Sequence, residues 1–125
     1  MYATQMQAYK SVQKSTLTGR DVEAAALTNA ALKLSQCKEL WGDEGHFQRL
    51  DEALRTNQRI WTIFQTEAAR EDNPLPELVK KNIVTLSLFI DKRIVEVMTK
   101  PAPEKLDILI NININIAAGL RGSTG

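Results

Sequence analysis

With 125 residues, 43% of them hydrophobic and 25% charged, the chain has the size and make-up of one small globular domain with a workable core. Its 16 basic and 15 acidic residues balance to a net charge of +1, which leaves no overall electrostatic footprint for nucleic acid or an anionic membrane. A lone cysteine, Cys37, excludes an internal disulfide; Met1–Lys14 is too polar for a signal peptide, and no apolar run approaches ~18 residues, so a cytoplasmic protein is expected.

Sparse punctuation divides the chain into five segments that read as helices, with no internal repeat. The first, carrying Tyr2, Met6, Tyr9 and Val12, is short and expected to end at Thr18-Gly19-Arg20-Asp21, where a new helix start is offered. In the second, Val22, Ala26, Ala30, Leu34, Cys37 and Trp41 share one face, mostly small residues that permit close helix approach, and Gly42-Asp43-Glu44-Gly45 closes it. In the third, Phe47, Leu50, Leu54, Trp61, Phe64 and Ala68 form an apolar stripe that ends before Asp72-Asn73-Pro74-Leu75-Pro76.

The fourth segment runs Leu75, Val79, Ile83, Leu86, Ile90, Ile94 and Val97 in steps of three and four. It also carries Leu78, Leu88, Phe89 and Val95 off that stripe. A helix apolar almost all round sits at the centre of a bundle or meets a partner, and Leu75–Met98 is expected to be the central element. Lys100-Pro101-Ala102-Pro103-Glu104 ends it.

The fifth segment alternates isoleucine and asparagine as a surface strand would. No other stretch reads as a strand, however, and a lone strand leaves its backbone groups unpaired within the chain. Wound as a helix at ~100° per residue, Leu109, Ile112, Ile116 and Leu120 gather on one face and Asp107, Asn111, Asn115 and Ala118 opposite, with Ile110 and Ile114 widening the apolar arc. Asp107–Leu120 is therefore expected to be helical, with Arg121 at the carbonyl end of its dipole. The fold class is all-α, a small bundle of about four to five helices in a single domain over residues 1–125.

Nothing in this pattern carries catalysis. His46 is the only histidine, and beside Gly45 it reads as a loop or helix-start residue. Cys37 on an alanine-lined stripe reads as a buried, inert thiol. The pairs Asp51/Glu52 and Glu67/Glu71 fall on exposed faces, and there is no phosphate loop, CxxC or HExxH. The expectation is a protein that is not an enzyme and takes no metal or cofactor. Lys10, Lys14, Arg20, Lys80, Lys81, Lys92 and Arg93 are dispersed among acids and read as solvated surface rather than a nucleic-acid patch. The unusual positions are Asn57, between Leu54 and Trp61, and Asn113, among Leu109, Ile112 and Ile116. Two readings stay open: satisfied core amides that fix helix register, or contacts to a partner. The candidate partner-binding set is Asn57, Trp61, Asn113, Ile114, Leu120 and Arg121.

The order and spacing of Asn57, Ile60-Trp61-Thr62 and Phe64, then Asn73, Leu75-Pro76 and Leu78, then Leu109-Ile110, Ile112-Asn113 and Asn115-Ile116-Ala117-Ala118-Gly119-Leu120, resemble the alphaproteobacterial flagellar biosynthesis regulator family FlaF. Ala8-Tyr9 and Arg20, Glu23-Ala24 are similar to that family more loosely. Ile114 departs from the pattern, standing where a basic residue is expected. The resemblance implies a small cytoplasmic protein that binds flagellin as a chaperone-like factor, supports its synthesis and export, and opposes the translational repressor FlbT. The competing readings are an RNA-directed regulator of flagellin messenger and a self-associating helical module whose spare apolar surface is a homodimer seam.

Overall fold

The computed structural model describes the backbone of residues 2–122 and the side chains of residues 21–121. Its elements are α1 (Tyr2–Glu39), α2 (His46–Ala68), α3 (Glu77–Thr99), a 3-10 turn (Pro103–Leu106) and α4 (Asp107–Gly122), with no strand among the described residues. The all-α bundle expected from spacing is what forms. The alternating segment is α4, and Asp107 in its first turn and Arg121 in its last suit the helix dipole.

One expected boundary is absent: α1 runs unbroken through Thr18-Gly19-Arg20-Asp21. A glycine inside a helix costs only about 1 kcal/mol relative to alanine, and without a proline every backbone N–H stays available to the ladder. The expected face of Tyr2, Met6, Tyr9 and Val12 lies outside the described side chains. The true α1–α2 break is the turn at Gly42 and Gly45, both at positive φ (83° and 80°), where a side chain would be strained. Arg49 reaches back from α2 to staple it, donating to the carbonyls of Leu40 (3.0 Å) and Glu44 (3.3 Å).

Consecutive helices run antiparallel. Lys33 meets Glu52 across α1 and α2, and Ser87 meets Gln65 across α2 and α3. Helix α4 returns along α1, with Lys38 donating to Asp107 at one end and Arg121 to Thr28 at the other. Ala24, Ala30 and Ala31 on α1 and Ala117 on α4 are buried, so α1 and α4 lie close together. The core is Leu27, Leu34 and Cys37 of α1, Leu50, Leu54 and Trp61 of α2, Ile90, Ile94 and Val97 of α3, and Leu106 and Leu109 from the last connection and α4.

The expectation that Leu75–Met98 is central is corrected by this arrangement. Helix α3 buries only Ser87, Ile90, Ile94 and Val97, and packs chiefly on α2. Leu78 (70% exposed), Leu88 (59%) and Val95 (62%) face solvent. The centre belongs to the second half of α1, whose small side chains let two neighbours approach at once.

Candidate functional site

A directed chain of hydrogen bonds crosses the core between α2 and α4. Trp61 is fully buried, and its Nε1–H donates to Asn113 Oδ1 at 2.8 Å. The Asn113 amide nitrogen donates in turn to Asn57 Oδ1, and both asparagines are fully buried. Indole is a donor only, whereas a side-chain amide has one oxygen and one NH2, so the Trp61 donor fixes the direction of both amides. The Asn57 Nδ2 group at the end of the series has no partner among the described residues. An unpaired buried donor costs about 1–3 kcal/mol, so this network selects the α2–α4 register more than it adds stability.

Trp61 is also the floor of an apolar cleft. Phe64 stands edge-on to it, ring centroids 5.6 Å apart at 63°. The walls are Ala68 of α2, Leu75 of the α2–α3 loop, Ile83 of α3, and Ile116 and Leu120 of α4, with Glu23 and Glu67 also lining it; the open hollow has a volume of about 240 Å³. The loop that forms one wall is held by local polar chemistry. Arg70 makes a two-pronged pair with Asp72 (3.0 and 2.9 Å), and Asn73 Oδ1 accepts the Leu75 N–H at 3.0 Å. The Arg70 guanidinium, by hydrogen bond and charge, lowers the Asp72 carboxyl below its ordinary 3.8.

The candidate residues are thus divided. Asn57, Trp61 and Asn113 come together beneath the cleft, and Leu120 joins its wall. Ile114 and Arg121 lie elsewhere. Ile114 is 49% exposed rather than part of the apolar arc expected of it, and Arg121 is exposed at the end of α4, bonded to Thr28 Oγ1 at 3.2 Å. Phe64, Leu75, Ile83 and Ile116 line the cleft without having been singled out. Each lies on an apolar stripe, but helical spacing does not say that three stripes converge at one end of a bundle.

Among the described residues no three of His, Cys, Asp and Glu come together to hold a metal ion. Cys37 is buried against the Arg49 carbonyl, and burial raises its thiol pKa despite the nearby Arg49 charge. His46 begins α2, half-buried, its ring against Trp41 at 4.3 Å between centroids. No described helix is long and apolar enough to cross a membrane.

Against known proteins, the family model described as flagellar protein FlaF matches residues 5–120. No curated protein and no solved structure matches.

Proposed function

Because the chain belongs to the FlaF family of flagellar proteins, we propose that it is a cytoplasmic regulator of flagellar biosynthesis that binds flagellin as a chaperone-like factor. In this reading it supports flagellin synthesis and export, opposes the repressor FlbT, and performs no catalysis. The observation that carries the reading is the cleft: a preformed apolar hollow among three helices and a loop. A volume of about 240 Å³ lies below the ~300–1,000 Å³ of a small-molecule pocket. It suits one or two large side chains of a polypeptide.

An amphipathic terminal segment of flagellin would set its anchor side chains against Phe64, Ile83 and Leu120. The rest of its apolar face would lie along half-buried Leu86 of α3 and Ile112 of α4, a helix-in-groove mode. Ordering such a segment costs about 2–5 kcal/mol, so apolar burial must carry the complex. Held there, the segment is withdrawn from premature polymerisation.

The test is co-expression with flagellin followed by co-purification. A soluble complex should persist at high salt, and Leu75→Asp with Leu120→Asp should abolish it, while Leu32→Asp on exposed α1 should not. Far-UV circular dichroism confirms that each variant is folded. Undiminished capture by a folded double variant would refute the cleft. Absent flagellin binding, with tight messenger binding that falls steeply with salt, would establish the RNA-directed reading instead.

A further inference from the structure

We propose that the outer face of α3 is a self-association surface, covered by α3 of a second copy of this chain running antiparallel. Residues 84, 88, 91, 95 and 98 follow one another in steps of four and three, the repeat of a coiled-coil seam. Four of the five are apolar: Val84, Leu88, Val95 and Met98. This stripe is separate from the Ser87, Ile90, Ile94 and Val97 face buried in the core. Leu88, Val95 and Met98 are 59%, 62% and 55% exposed, so the helix carries a second apolar face that its own bundle does not cover.

The charges within the stripe select the occupant. Asp91, half-buried, interrupts the apolar series, and exposed Lys92 adjoins it; neither has an ion-pair partner among the described residues. A wholly apolar partner would cover Asp91 without compensating its charge. A parallel second copy would set two Asp91 carboxylates against each other. A two-fold axis between residues 91 and 92 instead places Asp91 level with the partner's Lys92, and by symmetry Lys92 level with the partner's Asp91. The same axis brings Leu88 level with the partner's Val95, since the two lie equally far from it. The axis thus exchanges Leu88 with Val95 and Asp91 with Lys92 and sets Val84 one residue from level with the partner's Met98, so the surface complements itself as an isologous interface requires.

The seam spans 15 residues, about 21 Å at 1.5 Å per residue; across a helix about 10 Å wide that is roughly 200 Å², far short of the ~800 Å² per partner of a standard stable interface. Association is therefore weak and concentration-dependent. It uses none of the residues that line the cleft, so this proposal and the flagellin reading stand or fall separately.

Sedimentation equilibrium of the full chain from about 10 µM to about 1 mM should show a reversible monomer–dimer equilibrium, the range in which small interfaces act. Leu88→Glu with Val95→Glu should raise the dimer Kd at least about tenfold. Asp91→Lys alone and Lys92→Asp alone should each raise it about two- to fivefold, whereas the double swap Asp91→Lys/Lys92→Asp should restore it, because the charge pair across the axis is re-formed. Monomer throughout the range overturns the proposal. So does a dimer that the Leu88/Val95 variant leaves intact, or a double swap no better than the single ones. Leu88, Lys92 and Val95 are exposed and Asp91 is half-buried, and circular dichroism verifies that the bundle is retained.

Discussion

Helices α3 and α4 are the two most apolar in the chain, and the bundle uses them in opposite ways. Helix α4 is pressed along α1, where Ala24 and Ala31 meet a helix bearing Ala117, and it leaves only Ile108 and Ile114 exposed among its large apolar side chains. Helix α3 leans on α2 through one narrow face and exposes Leu78, Val79, Leu88, Phe89, Val95 and Met98. The apolarity of a helix states how much cover it needs. The size of the side chains on its neighbours decides whether the chain itself supplies that cover. The alanine stripe of α1 faces α4, and no comparable stripe faces the outside of α3.

The largest effect that could break this contrast comes from deleting the same side chain on each helix. Leu109 on α4 is fully buried, so Leu109→Ala should cost about 2–5 kcal/mol, whereas Leu88→Ala on α3 should stay within about 0.5 kcal/mol. Urea unfolding of the two variants measures both. Equal losses would mean that α3 is buried in solution and that the two helices are not used differently.

Next in size are the amides that tie α4 to α2. Asn113→Leu strands the Trp61 N–H and removes the donor to Asn57, and should cost about 1–3 kcal/mol. Asn57→Leu should cost less, because it also removes an NH2 group that has no partner. Thermal melts of the two variants side by side give the order, and the reverse order would show that the direction of the chain is other than Trp61 to Asn113 to Asn57.

The smallest effect concerns the loop joining α2 to the loosely held α3. The Asp72 carboxyl titrates below 3.8 in the folded chain, held down first by its hydrogen bond from Arg70 and then by that residue's charge. A depressed folded value stabilises fully above the unfolded pKa and is lost as pH falls through the folded value. The melting-temperature gap between the native chain and Asp72→Asn should therefore be present at neutral pH and close below 3.8. The pair is exposed, so the gap should be small and should shrink in high salt. A gap that grows toward low pH would reverse the assignment.

Much of this architecture was legible in the residues. Steps of three and four located α2, α3 and α4, and the absence of a second strand decided the isoleucine-asparagine alternation in favour of a helix. Buried core amides at Asn57 and Asn113 are one of the two readings that spacing leaves open; that the two bond each other is legible only in the packed bundle. What could not be read depends on which helices become neighbours. Gly19 reads as a boundary because local propensity takes no account of the 38-residue helix that carries it. The near-continuous apolar surface of Leu75–Met98 suggests centrality, yet the packed helix leaves Leu78, Val79, Leu88, Phe89, Val95 and Met98 exposed. Ile114 fell outside the apolar arc because α1 and α2 together contact less of α4 than that arc spans. The cleft required three helices and a loop to converge, and convergence is a property of the packed bundle alone.

The close pairing of α1 with α4 also sets the order in which this protein can be made. Sixty-seven residues lie between Glu39, where α1 ends, and Asp107, where α4 begins; at ~5–20 residues per second that is roughly 3–13 s of synthesis. Throughout that interval the first helix waits on the ribosome with its alanine-lined face uncovered. The asparagine that accepts the Trp61 N–H hydrogen bond arrives only with α4. Folding is thus deferred until α4 has been made, and a ribosome that stalls before Asp107 leaves a chain whose first helix has no α4 to meet.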